Sequence, residues 1–170
     1  KQINNMMTYD PDLTVSTFET STEELDNRAF LGAKAYYLKK LISYNFPVPP
    51  GFILTTEVFR HKDTVMEHMN MNLEFEELLA KHVAEIERVS GLEFGNPERP
   101  LLLSVRSGTA ISLPGAMSTF LNVGLTDEIV EILAQKQENA WMTWDSYRRL
   151  IQCWGMSKGI RRSIFNNLMD

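Results

Sequence analysis

The chain has 170 residues, enough for one domain with a true core or for two small lobes, and its 44% hydrophobic and 23% charged residues are ordinary for a globular protein. A net charge of −5 argues against general affinity for nucleic acid or for an anionic membrane. The single cysteine, Cys153, excludes an internal disulfide and fits a reducing compartment. No apolar stretch nears the ~20 residues that span a bilayer, and no N-terminal segment reads as a signal peptide. A cytoplasmic location is expected. Because the first residue is Lys1 rather than Met, the chain is expected to be processed or excised from a longer one.

Residues 1–30 are polar and weakly patterned, and read as an N-terminal arm with a short extended segment and a short helix near Thr22 to Asn27. In the run that follows, Tyr37, Leu38, Leu41 and Tyr44 recur at helical spacing, with Ile42 on the same side. This helix is expected to begin near Ala33 and to stop before Pro47, since proline disfavours helix in the residue before it. Lys34 then lies in the first turn, where the helix dipole disfavours a cation unless an anion is also drawn there by free N–H groups. An exposed surface lysine is the other reading. Pro47, Pro49 and Pro50 hold an extended approach and Gly51 supplies a turn into a short strand, Phe52 to Leu54. Thr55 or Thr56 caps a helix running to about Met69.

Leu73 to Val89 is the clearest helix, with Phe75, Leu79, His82 or Val83, Ile86 and Val89 along one apolar stripe. His82 there reads as packing. His61 and His68 share no metal-ligand spacing with cysteines or carboxylates. Residues 91–100 form a loop into the central stretch, LLLSVRSGTAISLPGAMSTFLNVG, at 101–124. It opens on a short apolar run, Leu101 to Val105, of the kind expected of a buried strand, and the run is broken by Arg106. Pro114-Gly115 then turns into a second β-prone segment, Thr119 to Val123. An arginine at a strand end, beside Ser107, Gly108 and Thr109, suits phosphate: its fork matches phosphate oxygens, and glycines let backbone N–H groups approach them. The same residues also allow an arginine paired with a carboxylate and glycines that only make turns. Thr126 or Asp127 caps a helix to about Lys136, and Ala140, Trp144, Tyr147, Ile151 and Trp154 mark an amphipathic helix from about Glu138 to Trp154. A last helix is expected at Lys158 to Met169, still in pattern where the sequence stops, so the natural chain is expected to continue. Arg148, Arg149, Lys158, Arg161 and Arg162 make this end locally basic, ordinarily a solvated face.

The common nucleotide and metal motifs G-x-x-x-x-G-K-[ST], G-x-G-x-x-G, C-x-x-C and H-E-x-x-H are absent from the sequence. Three segments together nevertheless resemble one family. LGAKAYYLKKLISYNFPVPPGFILTT is similar to the opening G-G-K-G-x-x-L…G-x-P-V-P-P-G-F-x-[IV]-T-T of pyruvate phosphate dikinase and phosphoenolpyruvate synthase. LLLSVRSGTAISLPGAMSTFLNVGL resembles their S-V-R-S-[GS]-A…x-P-G-x-x-x-T-x-L-N-x-G-L block, and WDSYRRLIQCWG the dikinase segment D-S-Y-R-R-F-I-Q-x-[FY]-G. The resemblance runs from about residue 30 to the C-terminus and leaves the first 30 residues uncovered.

What the resemblance implies is an α+β fold, the N-terminal portion of an ATP-grasp nucleotide-binding domain over residues 31–170. A small mixed sheet from the Phe52, Leu101 and Thr119 segments is expected to pack with several helices. Lys34 matches the family's lysine that contacts ATP phosphates, and Arg106 the arginine of the S-V-R-S block. Gly115 and Thr119 match the glycine and threonine of the loop after it, where a backbone amide and a hydroxyl reach phosphate oxygens. The implied enzyme passes phosphoryl from ATP to a carrier histidine and then to an acceptor such as pyruvate. Its phosphohistidine and pyruvate-binding domains would lie on the same or a partner chain. Mg²⁺ is implied as well, its carboxylate ligands belonging to a second lobe that this sequence lacks, so no metal ligand and no catalytic residue is assigned here. No nucleic-acid or membrane partner is expected. Ala33 and Ala35 stand where the family has glycines, and Ser118 where it usually has Asp or Glu. None of His61, His68 or His82 lies in a Thr-His-x-x-S-H-A type of context. Two alternatives follow from these departures and from the charge pattern. One is a non-catalytic nucleotide-sensing or regulatory module that keeps the fold, and the other an interaction domain using the basic C-terminal end.

Overall fold

The computed structural model describes residues 10–19, 26–67, 69–108, 119–136 and 140–168. They divide into two compact units, one holding the described residues up to Ser90 together with Gly108, the other Gly91–Ser107 and the residues from Thr119 onward.

In the first unit a 3₁₀ turn at Pro11–Leu13 leads into β1 (Val15–Thr17), which pairs antiparallel with β2 (Phe52–Leu54) in the register Val15 to Leu54 and Thr17 to Phe52. The extended segment expected in the N-terminal stretch is therefore a paired strand. Helix α1 (Arg28–Ser43) begins at Asn27, whose side chain accepts from the backbone N–H groups of Ala29 and Phe30, leaving fewer orphan donors in the first turn. It stops where Asn45 turns left-handed (φ 61°). There Phe46 N–H donates to the Leu41 carbonyl and Asn45 N–H to that of Ile42, so the chain is already out of the helix before the prolines. Buried Thr55 caps the short α2 (Thr56–Arg60) by accepting from Glu57 N–H, while its hydroxyl donates to the Leu13 carbonyl at 2.6 Å. Instead of one helix to Met69 there are two short ones, α2 and α3 (Lys62–Glu67), separated at His61. Helix α4 (Met69–Ser90) covers the expected Leu73 to Val89 span; its Ile86 is buried, and His82 stacks on Phe52 with ring centroids 5.2 Å apart.

The second unit pairs β3 (Leu103–Arg106) antiparallel with β4 (Thr119–Val123). Leu103 faces Val123 and Val105 faces Phe120, so β4 carries one extra residue; Asn122, at φ 58°, lies in that bulge. Gly124 (φ 116°) follows, where a Cβ would lie 2.8 Å from the Leu101 carbonyl oxygen, so only glycine fits. Thr126 caps α5 (Asp127–Lys136), with its hydroxyl oxygen accepting from Ile129 N–H. Ile129 and Val130 of α5, with Leu125, form a core against Leu102, Leu133 and the Tyr147 and Leu150 side chains of α6 (Ala140–Ser157).

Three further expectations are corrected. The Phe52, Leu101 and Thr119 segments do not form one mixed sheet among the described residues; they lie in two separate antiparallel pairs, because residues 15–17 supply the partner of β2. The Leu101 run is not buried throughout. Leu101 is buried and Val105 is 51% exposed, so burial fades toward Arg106. The last helix is α7 (Arg162–Asn167), not Lys158 onward. Gly159 (φ 89°) ends α6, with Ile160 N–H donating to the Gly155 carbonyl, and the chain re-enters helix only after Arg161. The helix expected near Thr22 falls mainly outside the described residues.

Candidate functional site

Lys34 owes its place to a break inside α1. Gly32 has φ 75° and ψ 160°, so the helix stops there and restarts at Ala33, which puts Lys34 in the first turn of the restarted segment as the sequence predicts. Only glycine adopts that backbone without strain. A Cβ on Gly32 would also lie 3.4 Å from the Gly108 carbonyl carbon and oxygen, while a Cβ on Gly108 would be 3.8 Å from that of Lys34. Two glycine backbones therefore meet beside Lys34, whose side chain is exposed. The alanines at 33 and 35 draw attention in the sequence, but the backbone freedom here belongs to Gly32. Its signal was legible, since a glycine directly before an expected helix start marks a place where the chain changes direction.

Arg106 is the last residue of β3 and Thr119 the first of β4, and the two are partners in the strand register. Directly opposed residues on an antiparallel pair have Cβ atoms about 4.5–5.5 Å apart, so the guanidinium and the hydroxyl leave neighbouring points of one edge. Arg106 is exposed and Thr119 half-buried, and no described residue forms an ion pair with Arg106. A side chain with five N–H donors beside a hydroxyl, both at the end of a short ladder, has the chemistry to grip an oxyanion.

Thus Arg106 is placed with Thr119, and Lys34 with Gly108, which follows Arg106 by two residues along the chain. Gly115 lies outside the described residues.

His61 and several other cations serve local structure. Buried Glu57 accepts from Arg60 Nη1 at 3.0 Å, and His61 Nε2 lies 3.1 Å from its other carboxylate oxygen. Lys39 is drawn to Asp26 and Ser16. In the basic C-terminal stretch Arg148 and Arg149 both grip Asp145, and hydrogen bonding from Arg148 leads in holding that carboxyl below its ordinary range. Tyr147 donates to Asp127 at 2.8 Å, and that bond raises the phenol's pKa. Among the described residues no group of three or more His, Cys, Asp or Glu side chains is placed to hold a metal ion, so Mg²⁺ is not assigned to them. No helix is long and apolar enough to cross a membrane among the described residues.

The architecture is a small α+β assembly of antiparallel strand pairs and helices, consistent with a nucleotide-binding subdomain. No family model matches the chain. It is 35% identical over 153 residues to the pyruvate, phosphate dikinase of Rhizobium meliloti, a match covering 89% of this chain and 16% of that protein. The pyruvate, phosphate dikinase of Entamoeba histolytica is 40% identical over 129 residues, covering 76% and 14%. That of Clostridium symbiosum is 35% identical over 161 residues, covering 92% and 18%. By sequence the chain matches the pyruvate, phosphate dikinase family at 35–40% identity over most of its length, and it spans less than a fifth of the length of these relatives.

Proposed function

We propose that the chain is the N-terminal part of an ATP-grasp nucleotide-binding domain in a dikinase-type phosphotransferase. Lys34, Arg106, Gly115 and Thr119 hold the phosphates of ATP. The whole enzyme passes phosphoryl to a carrier histidine and then to an acceptor such as pyruvate, both steps relying on domains beyond these residues. The observation that carries the reading is the register pairing of exposed Arg106 with Thr119. The lysine in the first turn after Gly32 supports it, because the N-terminal end of the restarted helix and the ammonium both favour an anion. Phosphoryl transfer is governed mainly by positioning and charge neutralisation. In this chain Arg106 and Lys34 supply the charge and Thr119 a neutral hydrogen bond that fixes orientation. Mg²⁺, with ligands outside the described residues, supplies further neutralisation when bound.

The test is ATP titration of the chain, followed by calorimetry or by ³¹P shifts. Binding is expected to be weak, with Kd about 1 mM or above, because much of the nucleotide's surroundings is supplied by the rest of the enzyme. Arg106→Ala should remove a charge-assisted contact of roughly 1.5–3 kcal/mol, which is about ten- to a hundredfold in affinity. An Arg106→Ala chain with unchanged ATP binding would defeat the assignment.

A further inference from the structure

Cys153, the sole cysteine, takes no part in the reading above, yet its thiol lies against the strand that carries Thr119. Its Sγ donates to the Thr119 backbone carbonyl at 3.5 Å, within range for a sulfur donor. The next residue of α6, Trp154, packs its ring edge-on against Phe120, the next residue of β4, with centroids 5.7 Å apart. Two successive helix residues thus hold two successive strand residues, one by a polar contact and one by an aromatic one. Thr119 is consequently fixed on two sides, by the register with Arg106 and by the thiol at its carbonyl.

We propose that Cys153, assisted by Trp154, is a positioning residue for the phosphate-facing end of β4, keeping the Thr119 hydroxyl opposite Arg106. This rests on the reading of Arg106 and Thr119 as phosphate ligands. The thiol itself touches no ligand. It acts by limiting the motion of the Thr119 peptide, so that less order has to be imposed when an anion binds. Serine keeps a donor at this place and alanine removes it. Because the chain has no second thiol, alkylation with iodoacetamide modifies Cys153 alone; the carboxamidomethyl group has no S–H to donate and must displace the carbonyl it faces.

The experiment compares wild type, Cys153→Ala, Cys153→Ser and Arg106→Ala, measuring amide hydrogen exchange over 119–123 and ATP affinity in each. Cys153→Ala is expected to speed exchange in that segment and to weaken ATP binding by about two- to fivefold, the scale of one weak hydrogen bond. Cys153→Ser should restore both, which a general packing defect would not. Faster exchange in Cys153→Ala with wild-type ATP affinity would overturn the proposal, leaving the thiol a structural contact only. Unchanged exchange would overturn it as well. Arg106→Ala separates the two readings. If it weakens ATP binding while Cys153→Ala does not, the positioning role alone fails; if it leaves ATP binding intact, the phosphate reading fails and the positioning role with it.

Discussion

The unit ending at Ser90 buries Thr14, Ser16, Thr55 and Glu57 beside Leu31, Ile53, Val65 and Ile86, whereas the unit built on β3, β4, α5 and α6 buries Leu101, Leu125, Ile129 and Val130 with Thr143 the buried polar residue among those described. The two arrangements fail differently. A buried hydroxyl or carboxylate costs stability unless each partner is present, so the first unit depends on closed hydrogen bonds such as Thr55 to Leu13 and Glu57 to Arg60. In the second unit the buried groups are hydrocarbon apart from Thr143, and what matters most is volume and close packing. The contrast also bears on the proposed ligands. Arg106 and Thr119 lie at the end of a ladder whose other end is preceded by Leu102, which packs against the apolar core, while Lys34 follows a helix break where two glycine backbones meet.

The largest expected effect tests the apolar side. Ile129 is 1% exposed, and Ile129→Ala should destabilise by about 2–5 kcal/mol in urea unfolding, against about 0.5–1.5 kcal/mol for Ile129→Val. Next comes the polar side. Thr55→Val keeps the side-chain shape but loses the cap and the bond to Leu13, and should cost ~0.5–2 kcal/mol, while Thr55→Ser should recover most of it. A Thr55→Val chain as stable as wild type, or an Ile129→Ala chain less affected than Thr55→Val, would break the comparison.

The smallest effect concerns pH. Burial first, and then the nearby Lys81 charge, lower the pKa of His82, which stacks on Phe52. The folded chain therefore favours neutral His82, while the unfolded chain takes up a proton near the ordinary value of about 6.5. The contribution of His82 to stability is complete above that value and is lost as pH falls from it through the lower folded pKa. The wild-type melting temperature should thus drop relative to that of His82→Gln between about pH 7 and pH 5. Parallel melting curves for the two proteins would remove His82 from the account.

Much of this was legible along the chain. Phe52 to Leu54 and Thr119 to Val123 are strands over the expected residues, because short β-prone runs between turn residues leave little choice. The long helix ending near Val89 follows from periodicity in the same way, and of the two cap candidates at each site the structure uses Thr55 over Thr56 and Thr126 over Asp127. Local chemistry that was present but overlooked accounts for the helix ends at Asn45 and Gly159, where a left-handed residue closes the last turn. Strand partners were not legible. Nothing in the composition of residues 15–17 says that they pair with 52–54, since pairing is a choice among distant segments that a one-dimensional pattern does not rank.

What the sequence by itself determined is the match to the pyruvate, phosphate dikinase family and most, not all, of the helices and strands, since these depend on residues near one another or on motifs in fixed order. Which faces are covered was decided by the tertiary structure. Tyr37 and Leu41 of α1 and Tyr44 at its C-terminal cap recur as an apolar stripe, yet they are 51%, 41% and 63% exposed, and Lys39 of the same helix is tucked in against Asp26 and Ser16. Periodicity shows that a face is apolar without saying what packs against it. The same holds for Arg106 and Thr119. Their types were read from the chain, but their opposition comes from an antiparallel register with a bulge at Asn122, fixed by backbone hydrogen bonds between segments 13 residues apart.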